Sequence, residues 1–203
     1  MNADPEELLE YWFGSADRSE PSSADLKTCI ARWFESGGEL DAEVKRRFSA
    51  ELEQAAAGDR DHWAKTPRGL LALIVVLDQL ARNIHRGTPR AFAFDATTLA
   101  WSQRAIERGD ELHLNLAHRI VLYLPLMHSE DIGVQRVSLA KYRGLYDASS
   151  EDLRGQMINV RRAAERHYEI IERFGRYPHR NAVLGRPMTS SETAFLKEPN
   201  SSF

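Results

Sequence analysis

A single cysteine, Cys29, excludes an intrachain disulfide and any multi-cysteine metal site. Long apolar runs are missing as well. The longest, Leu70 to Leu77 and Ile120 to Met127, are eight residues each, against the roughly 20 that a bilayer span requires. The opening MNADPEELLE has neither the basic stretch nor the apolar core of a signal peptide, so a cytoplasmic protein with no membrane partner is expected. No segment alternates apolar and polar residues between hairpin turns, which leaves no candidate strand. GxSxG, a glycine-rich phosphate loop, GxGxxG and HExxH are absent, which weakens the common hydrolase, nucleotide-binding and dehydrogenase readings. No cofactor is implied.

Lysine is scarce: 22 of the 27 basic residues are arginine, whose planar fork suits bidentate capture of carboxylate or phosphate. A GC-rich genome produces the same bias. The net charge of -3 conceals an uneven distribution. Residues 1–59 carry a net -8, while 60–90 and 161–186 each carry +4. The overall acidity argues against a nucleic-acid partner.

With 203 residues, 42% hydrophobic and 28% charged, the chain reads as one soluble domain. Its periodicity is helical throughout. Asp4-Pro5-Glu6-Glu7 starts a helix that stops at Gly14, and a second runs from Ser23 to Ser36, closed by Gly37-Gly38. The third, from Leu40 to Ala57, repeats an apolar residue every four positions. The centre is Thr66 to Asp95. Thr66 and Pro67 open a helix that is apolar all round from Leu70 to Leu77, so it must be buried, and Gly87 ends it. Thr88-Pro89-Arg90 repeats the opening and predicts a hairpin partner ending at Gly109. A helix from Asn115 to Met127 is interrupted at Pro125, Ser129 caps one reaching Asp147, and a long one spans Glu151 to Phe174. Thr189 to Glu192 forms a capping box. About eight or nine helices in an all-α stack of antiparallel hairpins are expected, without a steady 34-residue repeat.

Three segments, TPRGLLALIVVLDQLARNIHRGTPRAFAFD, YLPLMHSED (Tyr123 to Asp131) and IIERFGRYPHRNAVLGR (Ile170 to Arg186), resemble an uncharacterised, mainly bacterial family, the domain of unknown function nine-two-four. The resemblance runs from about Leu8 to Leu196 and implies a TPR-like, all-helical fold with no established activity. Leu80-Ala81 departs from the Phe-Pro usual in that family, so the helix is expected to continue without a kink.

Candidate chemistry follows the motifs. Asp78 and Arg82, and Gln79 and Asn83, stand four apart on the end of the buried helix, either as an anion site with Asp78 orienting Arg82 or as an internal ion pair. Arg119 and Tyr123 share a face near Pro125. His128, Glu130 and Asp131, helped by His167, could hold a metal, or His128 could be a general base; the competing reading is an ordinary helix start. The donor-rich loop holding Arg176, His179, Arg180 and Asn181 needs none of them for packing. Cys29 reads as a buried thiol. The leading expectation is a binding protein that holds a small anionic ligand or an acidic peptide end with Asp78, Arg82, Asn83, Arg119, Tyr123, His128, Arg176, His179, Arg180 and Asn181. The alternatives are an enzyme, such as a metal-dependent hydrolase using His128, Glu130, Asp131, His167 and His179, and a structural interaction module with an exposed apolar patch.

Overall fold

The computed structural model describes residues 4–17, 20–34, 38–199 and 201–202, which contain nine helices and no strand. They are α1 (Pro5–Phe13), α2 (Ser23–Phe34), α3 (Gly38–Ala56), α4 (67–84), α5 (Asp95–Arg108), α6 in two arms (Leu116–Leu122 and Leu124–His128), α7 (Ile132–Ala148), α8 (Arg154–Phe174) and α9 (Ser190–Phe195). Short 3-10 turns join several of them. Among the described residues no helix is long and apolar enough to cross a membrane.

Helix α4 is the axis of the fold, touched by α1, α3, α5 and α6. Thr66 Oγ1 accepts from the Gly69 amide at 3.1 Å, as a cap should, and Gly87 takes φ 75° beyond the far end. Every side chain from Leu70 to Leu77 is buried, each Leu, Ile or Val contributing about 1.5–3 kcal/mol to the core. Gly69 is obligatory for packing, since a Cβ there would collide with the Trp63 carbonyl oxygen. Midway, α4 changes its winding. Pro67–Ile74 is α-helical, Val75–Leu80 is a π-helix in which the Ala81 amide bonds the Val76 carbonyl five residues back, and Ala81–Ile84 is α-helical again. With Ala81 in place of a proline, the helix runs on to Ile84 as expected.

The bend at Pro125 splits α6 at Tyr123, and the carbonyls near the break find partners from other helices. Ser102 donates to the Leu122 carbonyl at 2.6 Å and Tyr142 to that of Ile120 at 2.9 Å. Helices α7 and α8 pair as a hairpin across a short loop, a packing compatible with the TPR-like expectation. A smaller apolar cluster, Ile170, Ile171, Tyr177 and Phe195, seats α9 against the end of α8.

Several boundaries differ from the sequence expectation, among them the start of α8, at Arg154 and not Glu151. Thr88-Pro89 starts only a 3-10 turn (Pro89–Phe92), because the Thr88 hydroxyl donates back to the His85 carbonyl at 2.7 Å instead of capping; α5 begins at Asp95. Asp131, not Ser129, caps α7, accepting from the Val134 amide at 2.8 Å. Gly38 opens α3 rather than closing α2, while Ser36 and Gly37 lie outside the described residues.

Candidate functional site

The uneven charge along the sequence resolves in space. All five arginines of 60–90 meet carboxylates: Arg60 meets Glu51, Arg68 meets Glu6 and Asp17, Arg86 meets Asp41, and Arg90 meets Glu53. Those four draw on the acidic first third of the chain, so the opposite net charges are fold complementarity. Arg82 alone turns to a different set.

The π turn of α4 places Asp78 with no exposed side-chain surface. Its carboxylate accepts from Gln79 Nε2, from Arg82 at 3.1 Å and from His128 Nδ1 at 2.8 Å. Arg82 also reaches Asp95 Oδ1 at 2.8 Å, and Asp95 Oδ2 accepts from Arg180 at 3.0 Å. Asp95 sits in the first turn of α5, where the helix amides favour a carboxylate. Both guanidiniums lie against the Phe92 ring, Arg82 at 5.2 Å and Arg180 at 4.8 Å, and Arg180 also covers Tyr177 at 4.6 Å. Tyr177 donates to the Met127 carbonyl at 2.5 Å and accepts from Gln135 at 2.8 Å, which ties the 176–186 loop to the end of α6. The three motifs therefore converge on one buried network.

Its electrostatics are set by burial working against charge. Burial pushes Asp78 up, but His128 and Arg82 together hold its carboxyl well below the usual range. His128 is pushed down by burial and then by Arg82, more than Asp78 raises it. The stable arrangement is an ionised Asp78 beside a neutral imidazole. Burial raises Asp95 and lowers Arg180. It also drives His167 down to about 3 and His179 to about 4. Two carboxylates face two guanidiniums, so the network is internally balanced.

Two features are left over. The Nε–H groups of Arg82 and Arg180 are both buried without an acceptor. His128 keeps 14% of its side-chain exposure, and among the described residues its Nε2 has no hydrogen-bond partner, while Nδ1 is spent on Asp78. Two buried donors without acceptors and an imidazole nitrogen without a hydrogen bond thus belong to one cluster, in which the Arg82 and His128 side chains keep 19% and 14% exposure.

Other expected site residues go elsewhere. Asn83 donates to Asp41 at 2.8 Å, beside Arg86. Arg119 donates to the Leu114 carbonyl at 2.7 Å, and Tyr123 to Glu111 at 2.7 Å, with Lys141 Nζ 2.8 Å from the same carboxylate. Arg176 and Asn181 both bind Glu192, whose carboxylate completes the Thr189 capping box. His179 stands 5.5 Å from the Tyr177 ring and within electrostatic reach of Arg180, Arg82 and His128. The supposed metal ligands disperse. Glu130 accepts from Arg186 at 2.6 Å and from the Tyr177 amide at 2.8 Å, Asp131 is the α7 cap, and His167 Nδ1 faces the Ala163 carbonyl at 2.8 Å. Among the described residues no group of three or more His, Cys, Asp or Glu is placed to hold a metal ion. Cys29 is buried, donates to the Phe13 carbonyl at 3.1 Å, and has its thiol pushed up to about 11 by burial.

Sequence reasoning missed Asp95, Phe92 and Tyr177. An acid in the first turn of a helix looks like macrodipole compensation, and nothing local distinguishes it from a hub shared by two arginines.

Residues 8–200 match the profile of a family described as "Bacterial protein of unknown function (DUF924)". No curated protein matches the chain. Among solved structures it is similar to a protein of unknown function from Agrobacterium tumefaciens, ATU0120, at 32% identity and a TM-score of 0.73, over 86% of this chain and 96% of that one.

Proposed function

We propose, from the premise that this chain belongs to the DUF924 family of bacterial proteins of unknown function, that it is a binding protein for a small anion or the acidic end of a peptide. The site is the network formed by Arg82, Asp95, His128 and Arg180, of which Arg82, Asp95 and His128 keep partial side-chain exposure. The observation that carries this reading is the pair of buried Nε–H donors without acceptors. A buried donor left unmade costs about 1–3 kcal/mol, and an anionic oxygen seated between two guanidiniums would recover that cost for both. The protein is placed in the cytoplasm, without a nucleic-acid or membrane partner. In support, the arginines of 60–90 are consumed by internal carboxylates and form no basic face.

A second reading uses the same imidazole. A histidine whose Nδ1 is held by a buried carboxylate is built like a general base, and that contact is what favours an enzyme acting through His128.

Titration calorimetry with inorganic phosphate, phosphate monoesters and small carboxylates tests the binding reading on the wild type, Arg82→Gln and Arg180→Gln. Binding by the wild type that both variants lose supports it. Binding that survives in both variants puts the ligand elsewhere, and the absence of any heat with the wild type leaves the network as internal scaffolding; either result overturns it.

A further inference from the structure

We propose that the ligand taken by this site is an oxyanion that carries its own hydroxyl, and that His128 Nε2 is the acceptor which demands it. The inference rests on the binding reading above and names the chemistry of its ligand. It begins with Asp78, which makes contacts through both oxygens and, as an ionised carboxylate, can only accept. The 2.8 Å contact to His128 Nδ1 therefore requires the proton to be on Nδ1. In a neutral imidazole the other nitrogen is then a bare lone pair; here it has no hydrogen-bond partner among the described residues, on a ring whose side chain keeps 14% exposure. The charged and titratable groups around the ring come from every neighbouring element: Asp78 and Arg82 from α4, Asp95 from α5, His167 from α8, and His179 and Arg180 from the following loop. Arg82 and burial oppose a second proton more strongly than the two aspartates favour it.

The site thus presents two kinds of demand within one cluster. Arg82 and Arg180 ask for acceptors, and His128 asks for a donor. A plain oxyanion such as sulfate or acetate satisfies the arginines and sets an oxygen lone pair against a nitrogen lone pair. Hydrogen phosphate, or a carboxylate with a neighbouring hydroxyl, satisfies all three. Sites built around a hydrogen bond to a ligand hydroxyl reject analogues that lack it far more strongly than apolar pockets reject a missing methylene.

Two pairs of anions that differ in a hydroxyl test this by calorimetry at pH 7.5: phosphate against sulfate, and glycolate against acetate. Binding about 10- to 100-fold tighter for the hydroxyl-bearing member of either pair is expected. A preference confined to phosphate identifies the hydroxyl as the phosphate's own; a preference for glycolate identifies a hydroxy acid. Asp78→Asn is the companion variant. Its amide can donate to Nδ1, so the ring is free to carry its proton on Nε2, and the preference should fall to near unity while binding persists. A nitrogen NMR measurement on the wild type keeps the inference testable should that variant not fold: His128 should show a protonated Nδ1 and an unprotonated Nε2 that moves on adding phosphate. Equal binding within both pairs, or a proton found on Nε2, overturns the inference and leaves the binding reading standing. No binding of any of the four anions removes both.

Discussion

Two aspartates in this fold are each shared by an imidazole and a guanidinium. Asp78 holds His128 at 2.8 Å and Arg82 at 3.1 Å; Asp17 holds His118 at 2.9 Å and Arg68 at 2.8 Å. The parts are the same and the surroundings differ. Around Asp17, the His118 side chain keeps only 4% exposure and packs edge-on to Phe13 at 4.6 Å, and Arg68 passes on to Glu6 near the surface. That cluster ties α1 and the 3-10 turn after it to α4 and α6. Around Asp78, the His128 side chain keeps 14% exposure, and the guanidinium passes on to a second carboxylate, Asp95, shared with another arginine. Arg68 spends its Nε on Glu6 at 2.8 Å, whereas Arg82 Nε finds no acceptor among the described residues. Equal pair geometry thus says little about purpose; what decides it is the fate of the atoms the pair does not use.

The comparison is broken most forcefully at the carboxylates. Asp78→Ala should lower the unfolding free energy by about 3–5 kcal/mol, because it removes a fully buried carboxylate and leaves Gln79, His128 Nδ1 and one Arg82 N–H without an acceptor, Arg82 keeping only Asp95. Asp17→Ala should cost less, about 1–3 kcal/mol, since Arg68 retains Glu6. Urea denaturation compares them, and equal losses would mean that both clusters are locks.

Acid should act on the Asp78 region first. His167, near 3 when folded against about 6.5 unfolded, stays neutral in the native state while the unfolded chain takes up a proton. A histidine depressed in this way contributes fully above about pH 6.5, and its contribution is lost as pH falls below that value, by up to about 1.4 kcal/mol per unit. His128 and His179 shift in the same direction. Denaturation midpoints between pH 7 and 4.5 should therefore fall, and His167→Gln should flatten the slope; an unchanged slope in that variant would place the sensitivity elsewhere.

Ligand response separates the two imidazoles more finely. His128→Gln should weaken phosphate binding by about tenfold or more, the value of one lost hydrogen bond, whereas His118→Gln should leave it unchanged. The smallest effect belongs to the rim of the closed cluster. Glu6→Gln removes an ion-pair partner whose side chain is 55% exposed, and a thermal melt should register less than about 1 kcal/mol.

How much of this could be read from the residues follows the range of the interactions. Burial of Leu70 to Leu77 was legible because a helix apolar on every side has only one place to go. The caps at Thr66 and Thr189 and the helix-ending glycines Gly87 and Gly109, both left-handed, are local chemistry and were legible too. Arg119 and Tyr123 do lie four apart, on the first arm of α6 and at its break, but spacing names a face and not what the face meets, and it meets Leu114 and Glu111. Asp95 binds Arg180 across 85 residues, a pairing with no periodic trace. The π turn, decided by packing, left no mark in the pattern either.

That turn also governs where the helix tolerates a change in length. An α-helix advances about 100° per residue, so gaining or losing one residue in Pro67–Ile74 or Ala81–Ile84 would rotate one half of α4 against the other and carry Arg82 off Asp95. Over Val75–Leu80 the chain already closes on the fifth residue instead of the fourth. Dropping one residue there lets a plain α turn take its place with both halves still in phase. Chains differing by a single residue at that point would keep the buried half and Arg82 alike, and would part company over what stands in the place of Asp78.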